Sequence, residues 1–202
     1  MANTPIKAKK IPLGSAKFYI TEKTDTNKLT SDITIDKVLA LINNNVKEDN
    51  LYGRTKNGAT ANYSATYYSE KDDFNEVSKT IITDENFSIG LGSITFDHDM
   101  VNKTLPTGEY SKDENGNEMT KIGGIQHDNQ KIYLCILVHE DKVDGDIIYL
   151  IHAKNVAAIS WAFTKGAGTI TSPSFQAEPF DTQGRCAILL TRKHTTTATT
   201  NS

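Results

Sequence analysis

The densest apolar pattern lies between residues 131 and 163. It opens with an unbroken run, Ile132-Tyr133-Leu134-Cys135-Ile136-Leu137-Val138. A polar turn follows, Asp141-Lys142-Val143-Asp144-Gly145-Asp146, and then a second run, Ile147-Ile148-Tyr149-Leu150-Ile151, which leads through Ala157, Ala158 and Ile159 to Trp161 and Phe163. Asp-Gly between two β-rich runs is a hairpin signal, because glycine accepts positive φ without steric cost. Apolar residues at every position, instead of at alternate ones, predict strands covered on both faces. A buried helix competes for 132–138, but the run is short, β-branched and aromatic, which favours strand.

Around this hairpin the pattern changes character. Residues 16–21 read as a short strand. Over 35–46, Ile35, Val38, Leu39, Ile42 and Val46 fall on one helical stripe, with Thr34 or Asp32 as the cap, and this helix is expected to pack on a sheet. Residues 43–62 are polar and asparagine-rich with Gly53 and Gly58, and read as an extended loop in which Leu51 and Tyr52 stand out as apolar. Residues 63–69 and 77–83 read as strands around the acidic turn Glu70-Lys71-Asp72-Asp73. Phe87, Ile89 and Leu91 alternate strictly, then the phase slips to Ile94 and Phe96 beside Gly90 and Gly92, which predicts a β-bulge.

A second polar loop spans 105–121, with a turn at Glu114-Asn115-Gly116-Asn117. A weak strand over 169–176 is interrupted by Pro173, and a compact one covers 186–190. The whole predicts a mainly β chain: an antiparallel β-sandwich or barrel with one packed α-helix and long polar loops. Residues 1–15 read as an N-terminal arm, 16–192 as a single domain, and 193–202, rich in threonine, as a disordered tail.

Composition narrows the function more than it names it. At 202 residues the chain is long enough to bury a full core without staples. A net charge of -3 points to no nucleic-acid-binding face, and the only basic cluster is Lys7, Lys9 and Lys10. Arginine occurs only as Arg54, Arg185 and Arg192, and no aromatic row alternates with basic residues. No apolar run approaches membrane-spanning length, and no signal core is visible, so synthesis in a cytosol without membrane association is expected. Cys135 and Cys186 both lie in apolar runs and read as buried thiols, not as a disulfide.

Templates for chemistry find little. His139-Glu140 lacks the second histidine of a zinc-protease helix and stands at a strand end. Asp97-His98-Asp99, read as strand, would point its neighbours to opposite faces. The segment 113–118 lacks the sixth-position glycine and twelfth-position glutamate of a calcium loop. Gly90-Leu91-Gly92 is followed by no helix, and Cys135 sits among residues that would raise its pKa. The reading is a non-enzyme with no catalytic residue, metal or cofactor.

Three pieces of the chain carry a family resemblance. Tyr67-Tyr68-Ser69-Glu70 leads through an acidic turn to 77–82 and the alternating Phe87-Ser88-Ile89-Gly90-Leu91. Gly123-Gly124-Ile125-Gln126 precedes the long hairpin. Ile159-Ser160-Trp161-Ala162-Phe163 and Ser172-Pro173-Ser174-Phe175-Gln176-Ala177 then lead to the final strand. Over roughly 63–190, in pattern and order, the chain resembles the major tail (tail-tube) proteins of long-tailed bacteriophages.

The resemblance implies a virion protein, made in a bacterial host, that self-assembles into hexameric rings. The rings stack into a hollow tube, which meets other tail proteins and passes DNA without sequence recognition. On that reading the polar loops and both termini become ordered only between rings. The inter-ring candidates are then Leu51, Tyr52, Gly53, Arg54 and Lys56 from the first loop, with Tyr110 and Lys112 from the second. The alternative is a carbohydrate- or receptor-binding sandwich of a virion or cell surface, with Tyr63, Tyr67 and Tyr68 on its rim.

Overall fold

A computed structural model describes residues 16–53, 55–74, 76, 78–93, 98–105, 107–124, 131–141, 145–161 and 171–193; for 55–57 and 93 only the backbone is described. The chain is mainly β and antiparallel. Its elements are β1 (Ala16–Glu22), α1 (Ile35–Asn45), a 3-10 turn (Glu48–Asn50), β2 (Thr55–Lys71), β3 (Ser78–Ser93), α2 (His98–Thr104), β4 (Glu109–Lys112), β5 (Glu118–Lys121), β6 (Tyr133–His139), β7 (Asp146–Asn155), β8 (Ser174–Glu178) and β9 (Ala187–Arg192).

The central hairpin forms as its pattern predicts. β6 pairs with β7 from Tyr133↔Ala153 to His139↔Ile147, and Gly145 takes φ 95° at the turn. Six of the seven residues of β6 are buried. Alternation then divides them between two apolar clusters. Tyr133, Cys135 and Leu137 join Phe18, Ile20, Phe87, Ile89, Leu91 and Phe175 on one side of the sheet. Leu134, Ile136 and Val138 join Tyr19, Leu29, Val38 and Ile42 on the other, where α1 packs. A strand apolar throughout is therefore one with a core on each face.

The sheet runs in the order β1-β6-β7-β8-β3-β2, with β9 also on β7. β7 divides its second edge: residues 146–151 pair with β9, and residues 152–155 with β8. β8 in turn pairs with β3 at 88–90. Phe18 of β1 and Phe175 of β8 have ring centroids 5.1 Å apart although two strands lie between them, so the sheet curls around this cluster. α1 begins where Thr34 accepts a hydrogen bond from the Lys37 N–H at 3.4 Å, and it buries Val38 and Ile42 on the sheet. Among the described residues, no helix is long and apolar enough to cross a membrane.

The structure corrects several expectations. The first polar loop is not a loop along its whole length, because β2 begins at Thr55. Its composition misleads because most of this strand faces water on both sides and needs no apolar alternation. The second polar loop is a small hairpin, β4–β5, closed at Gly116 (φ 85°) with Asp113 accepting from the Asn117 N–H at 2.8 Å. The described residues of both segments are thus folded within the chain. His98, read as strand, opens α2, whose Met100 and Val101 are buried. The register does slip beside Gly92, but the extra residues lie on β2, between Thr55↔Ser93 and Ala59↔Leu91. Ile94 and Phe96 lie outside the described residues.

Candidate assembly surface

The long hairpin β2–β3 changes nature along its length. Near its base the core-facing side of β3 carries Phe87, Ile89 and Leu91, all buried, and β8 covers its edge at 88–90. Beyond residue 86 on β3 and residue 60 on β2 that support ends. Every described residue of the two strands from there to the tip is exposed except Ala65, which is half-buried. Nine residue steps from Asn62 to Lys71 at about 3.4 Å each give an arm about 30 Å long. β2 is the last strand of the sheet path, so among the described strands only β3 pairs with it.

This exposed arm carries large apolar side chains. Tyr63, Tyr67, Tyr68, Ile81 and Ile82 are 46–61 % exposed, and Phe74 at the tip is 81 % exposed. The register distributes them over both faces. Tyr67 stands opposite Ile82, on the face that Tyr63 and Ala65 continue from the core; Tyr68 stands opposite Ile81 on the reverse face. A bulge between Thr66 and Tyr67 leaves Thr83 unmatched, and its hydroxyl donates to the Thr66 carbonyl at 3.2 Å. An isolated two-stranded hairpin is marginally stable in water, and an open strand edge is a template for further pairing. Among the described residues, this arm presents apolar side chains on two faces together with an edge that no strand but β3 pairs.

Its electrostatics are one-sided. Residues 60–86 carry six carboxylates against Lys71 and Lys79, a net charge of -4 on a chain whose total is -3. The tyrosine hydroxyls lie against this acid. Tyr63 donates to Glu85 at 2.5 Å, which pushes its pKa up to about 12, and Tyr68 donates to Glu70 at 2.8 Å, which raises its pKa as well. These hydrogen bonds fix ring orientation on an otherwise uncovered surface. Among the described residues, no group of three or more His, Cys, Asp or Glu side chains converges as a metal site would require.

The residues singled out from the sequence are scattered by the fold. Tyr52 is only 3 % exposed and packs edge-on against Phe18 and Phe175, at centroid distances of 5.7 and 5.5 Å. Its hydroxyl meets the Thr104 hydroxyl, and Asn155 continues the network to the Thr104 carbonyl at 3.0 Å and to the Ser174 N–H at 2.8 Å. Tyr52 is therefore a core residue of its own subunit.

Leu51 is half-buried and bridges to Tyr19, while the Tyr52 N–H donates to the Phe18 carbonyl at 2.9 Å, so this pair covers part of the β1 edge. Gly53 (φ 144°) leads toward β2, Arg54 lies outside the described residues, and Lys56 is described only as backbone. Tyr110 and Lys112 sit together on β4, both donating to Glu118 of β5, at 2.9 and 3.0 Å.

The arm residues Phe74, Ile81 and Ile82 escaped the sequence reading as interface positions, although a signal was present. The doublets Tyr67-Tyr68 and Ile81-Ile82 put one apolar side chain on each face of a strand otherwise polar, which a half-buried strand avoids. Neither the models of known protein families nor the curated proteins contain a match to this chain.

Proposed function

We propose that this chain is a structural subunit that works by joining copies of itself, in the manner of a bacteriophage tail-tube protein. Rings, hexameric as the resemblance implies, stack into the tube through which DNA leaves the virion. The observation that carries this reading is the β2–β3 arm, which among the described residues exposes large apolar side chains on both faces and has a β2 edge that no strand but β3 pairs. Contiguous apolar surface of this kind marks an interaction site, and pairing edges between neighbours removes the aggregation hazard they pose. When the contact is head-to-tail and its rotation closes, the product is a ring. The mild acidity of the chain, net charge -3, suits a bore that repels phosphates and lets DNA slide instead of binding it.

The carbohydrate-binding alternative has weaker support, because its candidate tyrosines do not share a surface. Tyr63 and Tyr67 lie on one face of the arm and Tyr68 on the other, so they do not form a flat stacking platform.

The test is assembly as a function of concentration. Wild-type protein is expected to form rings or tubes under negative stain and to sediment as oligomers. Placing Glu at both Tyr67 and Ile82 buries two charges in any contact made by that face. These variants should remain monomeric at every concentration while their thermal unfolding shifts little, since both residues are exposed in the subunit. Wild-type protein that stays monomeric at millimolar concentration, or tubes that survive both substitutions, would refute the proposal.

A further inference from the structure

Two Asn-Gly pairs occur in the chain, Asn57-Gly58 and Asn115-Gly116. We infer that Asn115 is a self-modification site. It converts to aspartate and isoaspartate with the Gly116 nitrogen as nucleophile, and Asp113 holds the reaction back. The reaction needs no second copy, so it stands apart from the self-assembly reading.

The chemistry is intramolecular. The backbone nitrogen of Gly116 loses its proton to solvent and attacks Cγ of Asn115. The new N–Cγ bond closes a five-membered imide, the bond from Cγ to the amide nitrogen breaks, and ammonia leaves. Water then adds to either imide carbonyl. Opening on one side leaves aspartate; opening on the other leaves isoaspartate, whose main chain runs through Cβ and Cγ. The net change is a water gained and an ammonia lost, so no oxidant or reductant is required. Glycine at the second position favours the attack, because a Cβ there would crowd the approaching nitrogen.

The fold makes Asn115 accessible and regulates it. Residues 114–117 are all exposed, and a Cβ built on Gly116 would meet nothing within 4 Å, so the imide and the incoming water both have room. The nucleophile, however, is engaged. Gly116 N–H donates to the Asp113 carbonyl at 3.1 Å. The Asp113 carboxylate accepts from the Asn117 N–H at 2.8 Å and from Asn117 Nδ2 at 2.7 Å, and the Asp113 N–H donates to the Asn117 carbonyl at 3.0 Å. Attack therefore waits for this clasp to open, and each bond to Asp113 lowers the open fraction.

Local stability then orders the two pairs. The β4–β5 ladder has four residue pairs, from Glu109↔Lys121 to Lys112↔Glu118, and seven of its eight residues are exposed. A hairpin of this size is marginal in water, so its turn opens often. Gly58 also has a positive φ, 78°, but it lies in β2 between Thr55↔Ser93 and Ala59↔Leu91, pairs of the seven-stranded sheet, and Leu91 is buried in the core. Opening there disturbs the main sheet, whereas opening at Asn115 disturbs only a surface hairpin.

The product differs from the original chain in two ways. An uncharged amide becomes a carboxylate, which takes the net charge from -3 to -4. The isoaspartyl form also lengthens the main chain inside the clasp, so Asp113 and Asn117 lose their register. That loosens the hairpin on which Tyr110 and Lys112 donate to Glu118.

The test follows full-length protein held at neutral pH and physiological temperature, sampled over weeks, digested and read by peptide mass spectrometry. Isoaspartate is assayed separately by enzymatic methylation. Asn115 is expected to lose its amide first, with isoaspartate among the products, while Asn57 lags about tenfold. Asp113→Ala should speed conversion of Asn115 about fivefold, the factor expected when an exposed turn loses a net hydrogen bond. In concentrated urea both Asn-Gly pairs should convert at similar rates, faster than either does in the folded chain.

An Asn115 that keeps its amide while Asn57 converts overturns the inference. Equal rates for wild type and Asp113→Ala in native buffer refute the part given to Asp113. The same tenfold gap between the two sites in urea would show that neighbouring sequence, not the fold, sets the order, and that result also overturns it.

Discussion

His152 makes the stability of this fold depend on pH. It lies on β7, 1 % exposed, and its Nε2 accepts the Leu29 N–H at 3.1 Å. That bond ties the connection between β1 and α1 to the sheet, and it needs a neutral ring with its proton on Nδ1. Burial, with the nearby Lys23 charge adding to it, lowers the pKa from 6.5 to about 4. In the unfolded chain the ring keeps its ordinary value, so between the two the unfolded state binds more protons than the native state. The contribution of His152 to stability is therefore constant above pH 6.5, falls as pH drops through 6.5, and levels off below pH 4.

The full difference of 2.5 pKa units corresponds to about 3 kcal/mol, of which about 2 kcal/mol is lost between pH 7 and pH 5. Urea unfolding of dilute, monomeric protein at pH 7, 6 and 5 measures this. His152→Gln keeps an acceptor but cannot titrate, and it should flatten the profile by that amount while being less stable at pH 7. Equal slopes for the two proteins between pH 7 and pH 5 would refute the reasoning. A histidine resonance titrating near pH 6.5 and assigned to residue 152 would refute it as well.

Other substitutions test the packing of the core. Arg192 donates from Nη2 and Nε to Asp146 Oδ2 at 2.7 and 3.1 Å, and the Asp146 side chain is only 2 % exposed. Arg192→Met should cost about 3 kcal/mol in urea unfolding at pH 7, because it strips a guanidinium from a buried carboxylate. A Cβ added at Gly145, where φ is 95°, would lie 2.5 Å from the Arg192 carbonyl oxygen. Gly145→Ala is expected to lower stability by about 2–4 kcal/mol, read as a drop in Tm. Tyr52→Ala should cost about 3–5 kcal/mol in the isolated subunit, whereas an interface-only residue would leave monomer stability unchanged.

What the sequence by itself determined is the part governed by burial. The unbroken run of β6 reports a strand with a core on each face, and the stripe Val38–Ile42 with Thr34 before it reports a capped helix with one buried side. The turn at Gly145 and the alternation of Phe87, Ile89 and Leu91 were legible for the same reason, since each pattern is the trace of an apolar environment on one strand.

Tertiary structure alone decided what depends on partners distant in sequence. Tyr52 looks like a stray aromatic in polar surroundings until Phe18 and Phe175 close around it. The edge of β7, shared between β8 and β9, leaves no mark on β7 itself. The strand character of 55–62 was hidden because it comes from backbone pairing with β3, and a surface wet on both sides imposes no period on its side chains. The exposure of the arm among the described residues, on which the proposed contact surface rests, is likewise visible in pairing and burial and not in composition.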